Sequence, residues 1–426
     1  MSKLKKLLYV IIDGAGDRPN PQLNGKTPLQ YAHKPNIDDL AKAGITGLVY
    51  TVEKGVAPES DVAVLSILGY DPYKHHTGRG SLEALGAGLE FRDGWLALRC
   101  NFATIDRSLR IIDRRCGRTL TTPEALELAK AINESVKLEG AEFTFKSTIG
   151  HRGVLVIRRI DGSLSSNITN TDPAYEKVGG LGIAKTSAEM KIAECRPLDD
   201  KPESVIAAKL VNEFTLKVID VLDKHPVNEE RRRKGLLPAN AVLCRDASSE
   251  APKLKPINEL YGLEMACLAE MPVERGIAIA AGMKVIPIPS MTGKPEVDYK
   301  LRAESCLKAL LEHDGVYVHL KGPDEPGHDG DPIRKVKAIE EIDKHFFNRV
   351  LEELNPEETI VIVTSDHATP CTLKAHSDDP VPILIAGGGI EPDDVESFDE
   401  ESCKRGALGV IKGVEIMAKA IQYLKS

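Results

Sequence analysis

Four side chains that suit metal binding follow two short apolar runs, which cover residues 316–320 and 359–364. The length and β-branched content of these runs are typical of buried parallel strands. Loops at the carboxyl ends of parallel strands converge on one crevice, so the sequence predicts that the four side chains meet there. They are Asp324, His328, Asp366 and His367.

The residue types in these two motifs restrict the kind of metal site. Aspartate and histidine ligands without cysteine suit manganese, zinc, iron or cobalt at an open site, whereas a structural zinc ion usually brings thiolates. His376, which follows shortly after His367, extends the set. Each residue alone also has an ordinary role: Asp324 could cap a turn, and His328 could be a solvated loop residue. Five such residues in two strand-end motifs favour a catalytic metal site.

A further acidic group follows the first predicted strand, residues 7–12. Asp13 directly follows this strand and begins a turn with glycines at positions 14 and 16. Glycines let the backbone turn sharply and approach a ligand. A dinucleotide-binding fingerprint would need glycine where Pro19 stands, and the P-loop lysine is missing. The sequence therefore excludes both nucleotide-binding classes at this turn and adds Asp13 to the acidic strand ends.

Ser60 precedes an apolar stretch that has the pattern of a helix and ends at Gly69. One interpretation is an N-cap, in which the serine hydroxyl accepts a hydrogen bond from the helix backbone. The other is a nucleophile, because the free N–H groups at a helix start can also hold a transferred phosphoryl group. The acids and imidazoles elsewhere in the chain favour the second interpretation.

Composition limits the class of protein. A chain of 426 residues exceeds one ordinary core, so two domains, or one large domain with an insert, are expected. The net charge of -8 argues against a nucleic-acid partner. The eight cysteines form no Cys-x-x-Cys pair, which indicates a reducing compartment. Since no apolar segment reaches membrane-spanning length, we expect a cytoplasmic protein without a membrane partner.

The predicted elements alternate between strand and helix over most of the chain, as in a sheet with helices on both faces. A helix over residues 332–354 connects the two metal-motif strands, and an amphipathic helix over residues 407–424 closes the chain. The pattern changes between residues 116 and 184, where a helix and a β-hairpin indicate a small insert. The predicted fold class is α/β, a doubly wound sheet with an inserted small α+β domain.

Several basic side chains in and near the insert could hold a small anionic substrate. Each could equally be an exposed surface charge, and the few polar groups of a small-ligand pocket suggest that about two of them touch the substrate. They are Arg114, Arg115, Arg118, His151 and Arg152.

Five motifs follow one another along the chain: Asp13-Gly, Pro58-Glu-Ser60-Asp, Pro323-Asp324-x-x-Gly327-His328, Ser365-Asp366-His367 and the later His376. In this order they resemble the alkaline phosphatase superfamily. Within it, the chain most resembles the archaeal-type cofactor-independent phosphoglycerate mutases. The resemblance extends over essentially the whole chain, and the ordered set is more specific than any single motif.

The resemblance implies an alkaline phosphatase-like fold and a dinuclear metal site, which usually holds manganese in this family. Cobalt, zinc and magnesium are alternatives, and no 2,3-bisphosphoglycerate cofactor is expected. It also implies a metal-binding catalytic domain over residues 1–116 and 185–426, with an inserted cap domain over 117–184. One ion would be held by Asp324, His328 and His376, and the other by Asp13, Ser60, Asp366 and His367.

The resemblance further implies an isomerase of glycolysis and gluconeogenesis that interconverts 3-phosphoglycerate and 2-phosphoglycerate. Ser60 would carry the phosphoryl group as a phosphoserine, and Lys321 would offset charge on its oxygens. The partner is then a small-molecule phosphoglycerate, and assembly into a homo-oligomer stays open. The candidates for substrate binding are Arg79, Arg99, Arg118, His151, Arg152 and Arg245.

Two alternatives to a mutase stay open. A metal-dependent phosphatase or another phosphomutase of the same superfamily would share the fold and the metal site and would differ only in its lid contacts. A non-enzymatic metal-binding or regulatory protein would be expected to lack Ser60 or one of the metal ligands. The complete set disfavours this second alternative.

Overall fold

The computed structural model describes residues 5–178, 181–184, 189–289 and 292–425. It divides into two compact units, each formed by more than one stretch of chain. The first unit contains residues 1–76, 254–270 and 277–426, and the second contains residues 77–253 and 271–276.

The strands of the described chain are β1 (Lys6–Ile12), β2 (Gly44–Tyr50), β3 (Leu96–Ile105), β4 (Ile111–Asp113), β5 (Ala141–Ser147), β6 (Arg152–Arg159), β7 (Tyr175–Val178), β8 (Leu181–Ala184), β9 (Ala241–Ser248), β10 (Met265–Leu268), β11 (Lys284–Val285), β12 (Gly315–Leu320), β13 (Thr359–Thr364), β14 (Val381–Gly387) and β15 (Gly409–Lys412). The α-helices are α1 (Pro28–Tyr31), α2 (Pro35–Lys42), α3 (Ser60–Ile67), α4 (Pro72–His75), α5 (Arg79–Gly86), α6 (Thr122–Ser135), α7 (Pro202–Leu222), α8 (Pro226–Arg233), α9 (Ile257–Tyr261), α10 (Pro272–Ala280), α11 (Pro295–Glu312), α12 (Asp324–Asp329), α13 (Pro332–Ile342), α14 (Asn348–Leu351) and α15 (Ile416–Lys425). None of the helices of the described chain combines the length and apolar character that a membrane span requires.

Eight strands form the sheet of the first unit, in the order β11-β10-β12-β1-β13-β14-β2-β15. The strands from β11 to β13 run parallel, whereas β14 is antiparallel to both of its neighbours. The central strand β1 is buried from Leu7 to Ile12. A strand that is covered on both faces needs apolar residues at every position, which explains why β1 reads as a continuous apolar run.

The register of the central strands brings the predicted chemical groups to one edge of this sheet. Ile12 pairs with Leu320 at the end of β12, and Ile11 pairs with Thr364 at the end of β13. Because the three strands run in the same direction, the residues that follow them leave the sheet at the same edge. The side chains of both metal-binding motifs therefore start from neighbouring strand ends.

The connection from β12 to β13 is largely helical, as predicted, but it contains one π-helical turn, Asp343–Phe347, between α13 and α14. The Asp343 carboxylate accepts hydrogen bonds from the backbone N–H groups of Asn36 and Ile37, at 3.3 and 2.8 Å. These groups belong to the first turn of α2, whose own N-cap residue, Lys34, makes no capping side-chain hydrogen bond. Asp343 thus caps α2 from a distant part of the chain.

The second unit contains an antiparallel sheet in which β3 pairs with β4, β6 and β9, and β5 pairs with β6. Helices α6 and α7 pack on this sheet, and their apolar residues share one core with strand residues such as Phe102 and Phe145. Residues 117–184 fall in this unit, together with residues 77–116 and 185–253. The role of segment 117–184 as a cap domain stays a prediction.

The predicted closing helix over residues 407–424 is wrong in its first half. Gly409–Lys412 forms β15, which pairs in parallel with residues 47–50 of β2, and only Ile416–Lys425 is α-helical. Gly409 has a φ of 62°, a conformation outside the right-handed helix that glycine adopts without strain. Pairing with β2 supplies hydrogen-bond partners for this backbone, which the local amphipathic pattern does not reveal.

Candidate active site and metal centre

Three ligand-type side chains form a first cluster at the carboxyl edge of the sheet of the first unit: Asp324, His328 and His376. The Nε2 atoms of His328 and His376 lie 3.2 Å apart. The Oδ1 atom of Asp324 lies 3.5 Å from the first of these nitrogens and 3.6 Å from the second. Asp324 and His328 meet because residues four apart share one face of the short helix α12.

Hydrogen bonds on the far side of each ring orient the two imidazoles of the first cluster. The Nδ1 atom of His376 lies 2.8 Å from the carbonyl oxygen of Pro58. The Nδ1 atom of His328 lies 3.2 Å from the carbonyl oxygen of Lys374. A carbonyl oxygen can only accept, so both Nδ1 atoms carry hydrogen. With a cation bound, both rings would be neutral and would direct their Nε2 lone pairs at the ion beside Asp324.

The electrostatics of the first cluster also favour positive charge. Burial opposes ionisation of Asp324, but His376 and His367 lower the pKa of its carboxyl below the usual range. Burial likewise opposes protonation of His376, but Asp324 and Glu59 raise its pKa to about 9. The ring of His376 therefore holds a second proton, on Nε2, beside the ionised Asp324, and a bound metal cation would replace that proton.

The second cluster consists of Asp13, Asp366 and His367, all of them buried. The Nε2 atom of His367 lies 3.2 Å from Asp366 Oδ2 and 3.6 Å from Asp13 Oδ1. Neither of these two carboxylate oxygens, which are shielded from solvent, accepts a hydrogen bond of ordinary geometry from the described part of the chain. A buried anionic oxygen without a donor is costly, so this pair also fits a bound cation.

Lys321 lies beside the second cluster, at the end of β12. Its Nζ atom is 3.0 Å from Asp13 Oδ2 and 3.3 Å from Nε2 of His319. Burial would raise the pKa of the Asp13 carboxyl, but Lys321 and His319 hold that pKa well below its usual range. An ammonium group at this position can balance negative charge on a molecule bound at the cluster.

His319 is a buried member of this site that none of the five motifs contains. Its Nδ1 atom lies 2.9 Å from the Tyr317 hydroxyl, and its Nε2 atom lies 3.7 Å from Asp13 Oδ1. Strand alternation could have indicated its position, because Tyr317 and His319 lie two residues apart on β12 and Lys321 follows the strand at the same spacing. A histidine inside an apolar run, two residues before Lys321, was the available signal.

Ser60 is the first residue of helix α3, and Glu59 occupies the N-cap position. Because the N-cap residue is Glu59, the interpretation of Ser60 as an N-cap is wrong. Its Oγ atom instead lies 3.4 Å from Nε2 of His367 in the second cluster. The first N–H groups of a helix lack partners within the helix, so the start of α3 suits an anion bound next to Ser60.

Thr369, which the motifs also do not contain, lies between the two clusters. It is completely buried, and its hydroxyl lies 2.7 Å from Asp324 Oδ1 and 3.0 Å from Nδ1 of His367. Gly14 packs against the same hydroxyl, with a φ of 60°. A Cβ atom at position 14 would lie 2.8 Å from both Asp324 Oδ1 and the Thr369 hydroxyl. Glycine is therefore needed here for the loop after β1 to approach the clusters.

The predicted substrate-binding residues lie in the second unit. Arg79 and Arg99 both face Oε1 of Glu83, at 3.1 and 3.5 Å. Arg99 also lies 3.9 Å from Asp246 Oδ2, and Arg245 lies 3.4 Å from the same oxygen. Shared carboxylates hold these guanidinium groups close together despite their like charges.

Further basic groups concentrate positive charge around these arginines. Burial and the neighbouring Arg79 lower the pKa of Arg99 to about 10. Burial and the neighbouring Arg152 lower the pKa of His151 to about 3, so this ring is neutral. Positive groups that lie close enough to lower one another's pKa values create a positive electrostatic potential, which suits an anionic ligand. The arginine cluster comprises Arg79, Arg99, Arg152 and Arg245. Arg115 and Arg118 add positive charge near His151.

Asp172 and Tyr175 orient two guanidinium groups of the second unit, although neither residue was among the predicted ones. Asp172 is completely buried and accepts hydrogen bonds from Arg114 Nε at 2.9 Å and Arg245 Nη1 at 2.8 Å. The ring centre of Tyr175 lies 4.9 Å from the guanidinium carbon of Arg114 and 4.3 Å from that of Arg245. A carboxylate and an aromatic face together restrict how these guanidinium groups can turn.

The structure brings the predicted residues together in two sets, one in each unit. The first unit holds the seven predicted metal ligands and Lys321, and the second holds the six predicted substrate-binding residues. The functional roles of these residues stay predictions. A mixed sheet whose central parallel strands bring acids, imidazoles and a serine to one edge defines an α/β enzyme with a candidate metal centre.

The sequence profile of the family described as 2,3-bisphosphoglycerate-independent phosphoglycerate mutase matches residues 41–228. A protein of that name from Aeropyrum pernix is 48% identical, over 98% of this chain and 99% of the relative. The chain belongs to the 2,3-bisphosphoglycerate-independent phosphoglycerate mutase family. It is accordingly an enzyme of the isomerase class, an intramolecular phosphotransferase, and the family resemblance carried by the motifs is confirmed.

Two solved structures share the fold of this chain. A protein of Pyrococcus horikoshii is 32% identical with a TM-score of 0.79, and the match covers 99% of this chain and 98% of that one. A cofactor-independent phosphoglycerate mutase from Thermoplasma acidophilum is also 32% identical, with a TM-score of 0.63 over 99% of this chain and 100% of that one. The predicted α/β fold class is confirmed.

Proposed function

We propose that this protein interconverts 3-phosphoglycerate and 2-phosphoglycerate through a phosphoserine on Ser60, at a site that holds two divalent metal ions. The observation that carries the proposal is the position of Ser60 Oγ, 3.4 Å from Nε2 of His367 and next to two groups of metal-ligand side chains. The family relationship suggests the substrate, because relatives such as the Aeropyrum pernix protein are named for this mutase.

One ion would bind to the first cluster, and the other would bind to the second cluster together with Ser60. The donors are carboxylates, imidazoles and a hydroxyl without a thiolate, a set that suits manganese, with cobalt, zinc and magnesium as alternatives. Bound divalent ions lower the pKa of a coordinated hydroxyl and offset negative charge on phosphoryl oxygens.

Ser60 would act as the nucleophile toward phosphorus. The bond from Ser60 Oγ to phosphorus forms as the bond from phosphorus to the glycerate 3-oxygen breaks, and the serine proton ends on that oxygen. In the return step, the glycerate 2-hydroxyl attacks the phosphoserine and its proton returns to Ser60. The phosphoryl group stays on the chain between the two steps, so no bisphosphate donor is consumed.

Lys321 would stabilise the phosphoryl group during both transfers. Phosphoryl transfer spreads charge over the oxygens around phosphorus, and a positioned cation lowers the energy of that arrangement. The ammonium group is held 3.0 Å from Asp13 Oδ2 and 3.3 Å from Nε2 of His319, which keeps it beside the second cluster.

The arginine cluster would bind the carboxylate of the glycerate, because planar guanidinium groups pair with carboxylates through two parallel hydrogen bonds. Asp172 and Tyr175 would keep Arg245 oriented for this contact. We also propose that segment 117–184 acts as a cap domain for a catalytic domain of residues 1–116 and 185–426. Exclusion of water would let the phosphoserine return its group to glycerate instead of being hydrolysed.

A phosphorus NMR time course tests this function directly. The manganese-loaded protein is given 3-phosphoglycerate without bisphosphoglycerate, and the signal of 2-phosphoglycerate should appear with little inorganic phosphate. Inorganic phosphate as the only product would contradict the mutase and establish a phosphatase. An unchanged spectrum would contradict both activities on this substrate.

The phosphoserine is tested on quenched enzyme by mass spectrometry, where the phosphate should lie on the peptide that contains Ser60. Ser60→Ala should abolish both the modified peptide and the turnover. Ser66→Ala is the matched control, because Ser66 lies in the same helix and is equally changed from serine to alanine. A Ser60→Ala protein with full turnover would end the proposal of a covalent intermediate.

A further inference from the structure

We propose that Thr369 is a positioning residue that couples the two metal-binding clusters through one hydroxyl, and this inference rests on the dinuclear site proposed above. Thr369 is completely buried in the loop after β13. Its Oγ1 atom lies 2.7 Å from Asp324 Oδ1 in the first cluster and 3.0 Å from Nδ1 of His367 in the second. One side chain therefore contacts a ligand of each ion.

The direction of the two hydrogen bonds follows from their chemistry. An ionised carboxylate can only accept, so the single hydroxyl proton of Thr369 goes to Asp324. The hydroxyl oxygen must then accept from His367, which assigns the ring proton of His367 to Nδ1. The Nε2 atom of that ring carries a free lone pair, and this is the atom that faces the second cluster.

The same hydroxyl restrains the first cluster. It occupies one lone-pair direction of Asp324 Oδ1, the oxygen that lies 3.5 Å from His328 and 3.6 Å from His376. The carboxylate plane is thereby held in the orientation that presents Oδ1 to both imidazoles. Groups that fix the tautomer and orientation of metal ligands in this way set the affinity of the site for its ion.

The position of Thr369 is itself determined by its backbone. Its N–H group donates to the carbonyl oxygen of Gly16 at 3.0 Å, and its carbonyl oxygen accepts from Lys335 Nζ at 2.9 Å. Gly327 packs against it so closely that an added Cβ atom would lie 2.4 Å from the Thr369 carbonyl oxygen. The hydroxyl is therefore held between the clusters by three separate segments of chain.

The test is a calorimetric titration of the metal-stripped full chain with Mn²⁺. Thr369→Val removes the hydroxyl and keeps the branched shape, and it should weaken the binding of both ions by about 10- to 100-fold. Thr369→Ser keeps a hydroxyl and should restore most of this loss. Thr364→Val is the matched control, because it makes the same change at a buried threonine whose hydroxyl donates to the Pro382 carbonyl at 2.9 Å and not to a predicted metal ligand.

Each outcome of the titration has a defined meaning. Weakened binding of both ions in the valine variant, with rescue by serine, supports the coupling. A loss confined to one ion, or none, overturns it while the dinuclear site stands. Wild-type protein that binds fewer than two ions overturns the dinuclear site and the coupling together.

A second measurement on the wild-type chain needs no substitution, so it applies even where the valine variant fails to fold. Nitrogen NMR of the zinc-loaded protein with labelled histidine separates protonated ring nitrogens from metal-bound ones. His367 should show a protonated Nδ1 and a metal-bound Nε2. The opposite assignment would overturn the inference, because Thr369 could not then accept from His367 while it donates to Asp324.

Discussion

The imidazoles of His328 and His376 face each other, with their Nε2 atoms 3.2 Å apart, and each ring donates from Nδ1 to a backbone carbonyl group. The carbonyl contacts leave only the facing nitrogens for an ion. Asp324 completes the first cluster at 3.5 and 3.6 Å from these nitrogens. The proposed first metal ion would therefore bind between these two nitrogens and Asp324.

Replacement of His376 by alanine should lower the metal content from two ions per chain to one, because the second cluster keeps all of its ligands. Elemental analysis of the purified, manganese-loaded protein measures this ratio. His345→Ala is the matched control, since His345 pairs with Glu341 in the connection between β12 and β13 and belongs to neither cluster, so the content should stay at two. Two ions retained in the His376 variant would exclude the first cluster as a metal site.

Removal of metal should abolish activity and lower the melting temperature, and return of Mn²⁺ should reverse both. In the metal-free chain, Asp13 Oδ1 and Asp366 Oδ2 of the second cluster are buried without a hydrogen-bond donor from the described residues. An ion present at 100 times its dissociation constant would stabilise the folded chain by about 2.7 kcal/mol per site. Activity assays and calorimetry with and without chelator measure the two effects. Full turnover after exhaustive chelation would contradict metal dependence.

Lys335→Met should destabilise the protein by about 3–5 kcal/mol, the usual cost of removing one partner of a buried ion pair. Lys335 is completely buried and lies 2.9 Å from Asp17 Oδ2. It also donates to the carbonyl oxygens of Gly16 and Thr369, each at 2.9 Å. Urea unfolding of the metal-free protein measures the loss. Lys337→Met changes an exposed lysine of the same helix and should shift stability by less than about 0.5 kcal/mol; equal effects would contradict the role of Lys335.

Arg152→Gln should raise KM for phosphoglycerate by about 10- to 100-fold, the loss expected for a hydrogen bond to a charged group. Arg152 is half-buried in the arginine cluster, where burial lowers its pKa. Arg158→Gln is the control on the same strand, because Arg158 is exposed and pairs with Glu142. Steady-state kinetics of both variants measure the difference. An unchanged KM in the Arg152 variant would remove this residue from the substrate site.

Glu400→Gln should remove part of the pH dependence of stability. Glu400 accepts hydrogen bonds from the Thr27 hydroxyl and the Asp17 N–H group, and burial raises its pKa to about 7. Lys335 and Asp17 are the charged groups that face it. The folded chain holds this proton more tightly than the unfolded chain, so the contribution is present below the ordinary pKa of about 4.3 and is lost as the pH rises through 7.

Melting temperatures at pH 5 and pH 8 check this prediction for Glu400. The glutamine variant should be more stable than the wild type at pH 8, where the wild type holds a charged carboxylate, and the difference should shrink at pH 5. Glu401→Gln changes the exposed neighbouring residue and should show no such trend. The same difference at both pH values would contradict a raised pKa for Glu400.

The positions of the ligand residues in the first unit were largely predictable, because buried parallel strands are recognisable in the sequence as short apolar runs. A strand that is covered on both faces is apolar at every position, so its end is marked by the first polar residue. Asp13 and Asp366 were assigned to one sheet edge on that basis, and their strands β1 and β13 are neighbours. The order and types of the ligand residues then sufficed for the family.

Elements whose identity depends on a distant partner were not predictable in the same way. Residues 409–412 read as part of an amphipathic helix, but they form an edge strand because β2 offers them hydrogen-bond partners. The antiparallel direction of β14 and the capping of α2 by Asp343 also depend on segments far away in the chain.

The sequence by itself determined which ligand types this chain carries and that they gather at one end of a parallel sheet, since periodicity and strand-end position are local properties. Only the tertiary structure decided which further groups join them: His319 beside Lys321, and the Thr369 hydroxyl between Asp324 and His367. A hydrogen bond forms only within about 3 Å and in a narrow range of angles, and such positions are set by the packing of the whole domain.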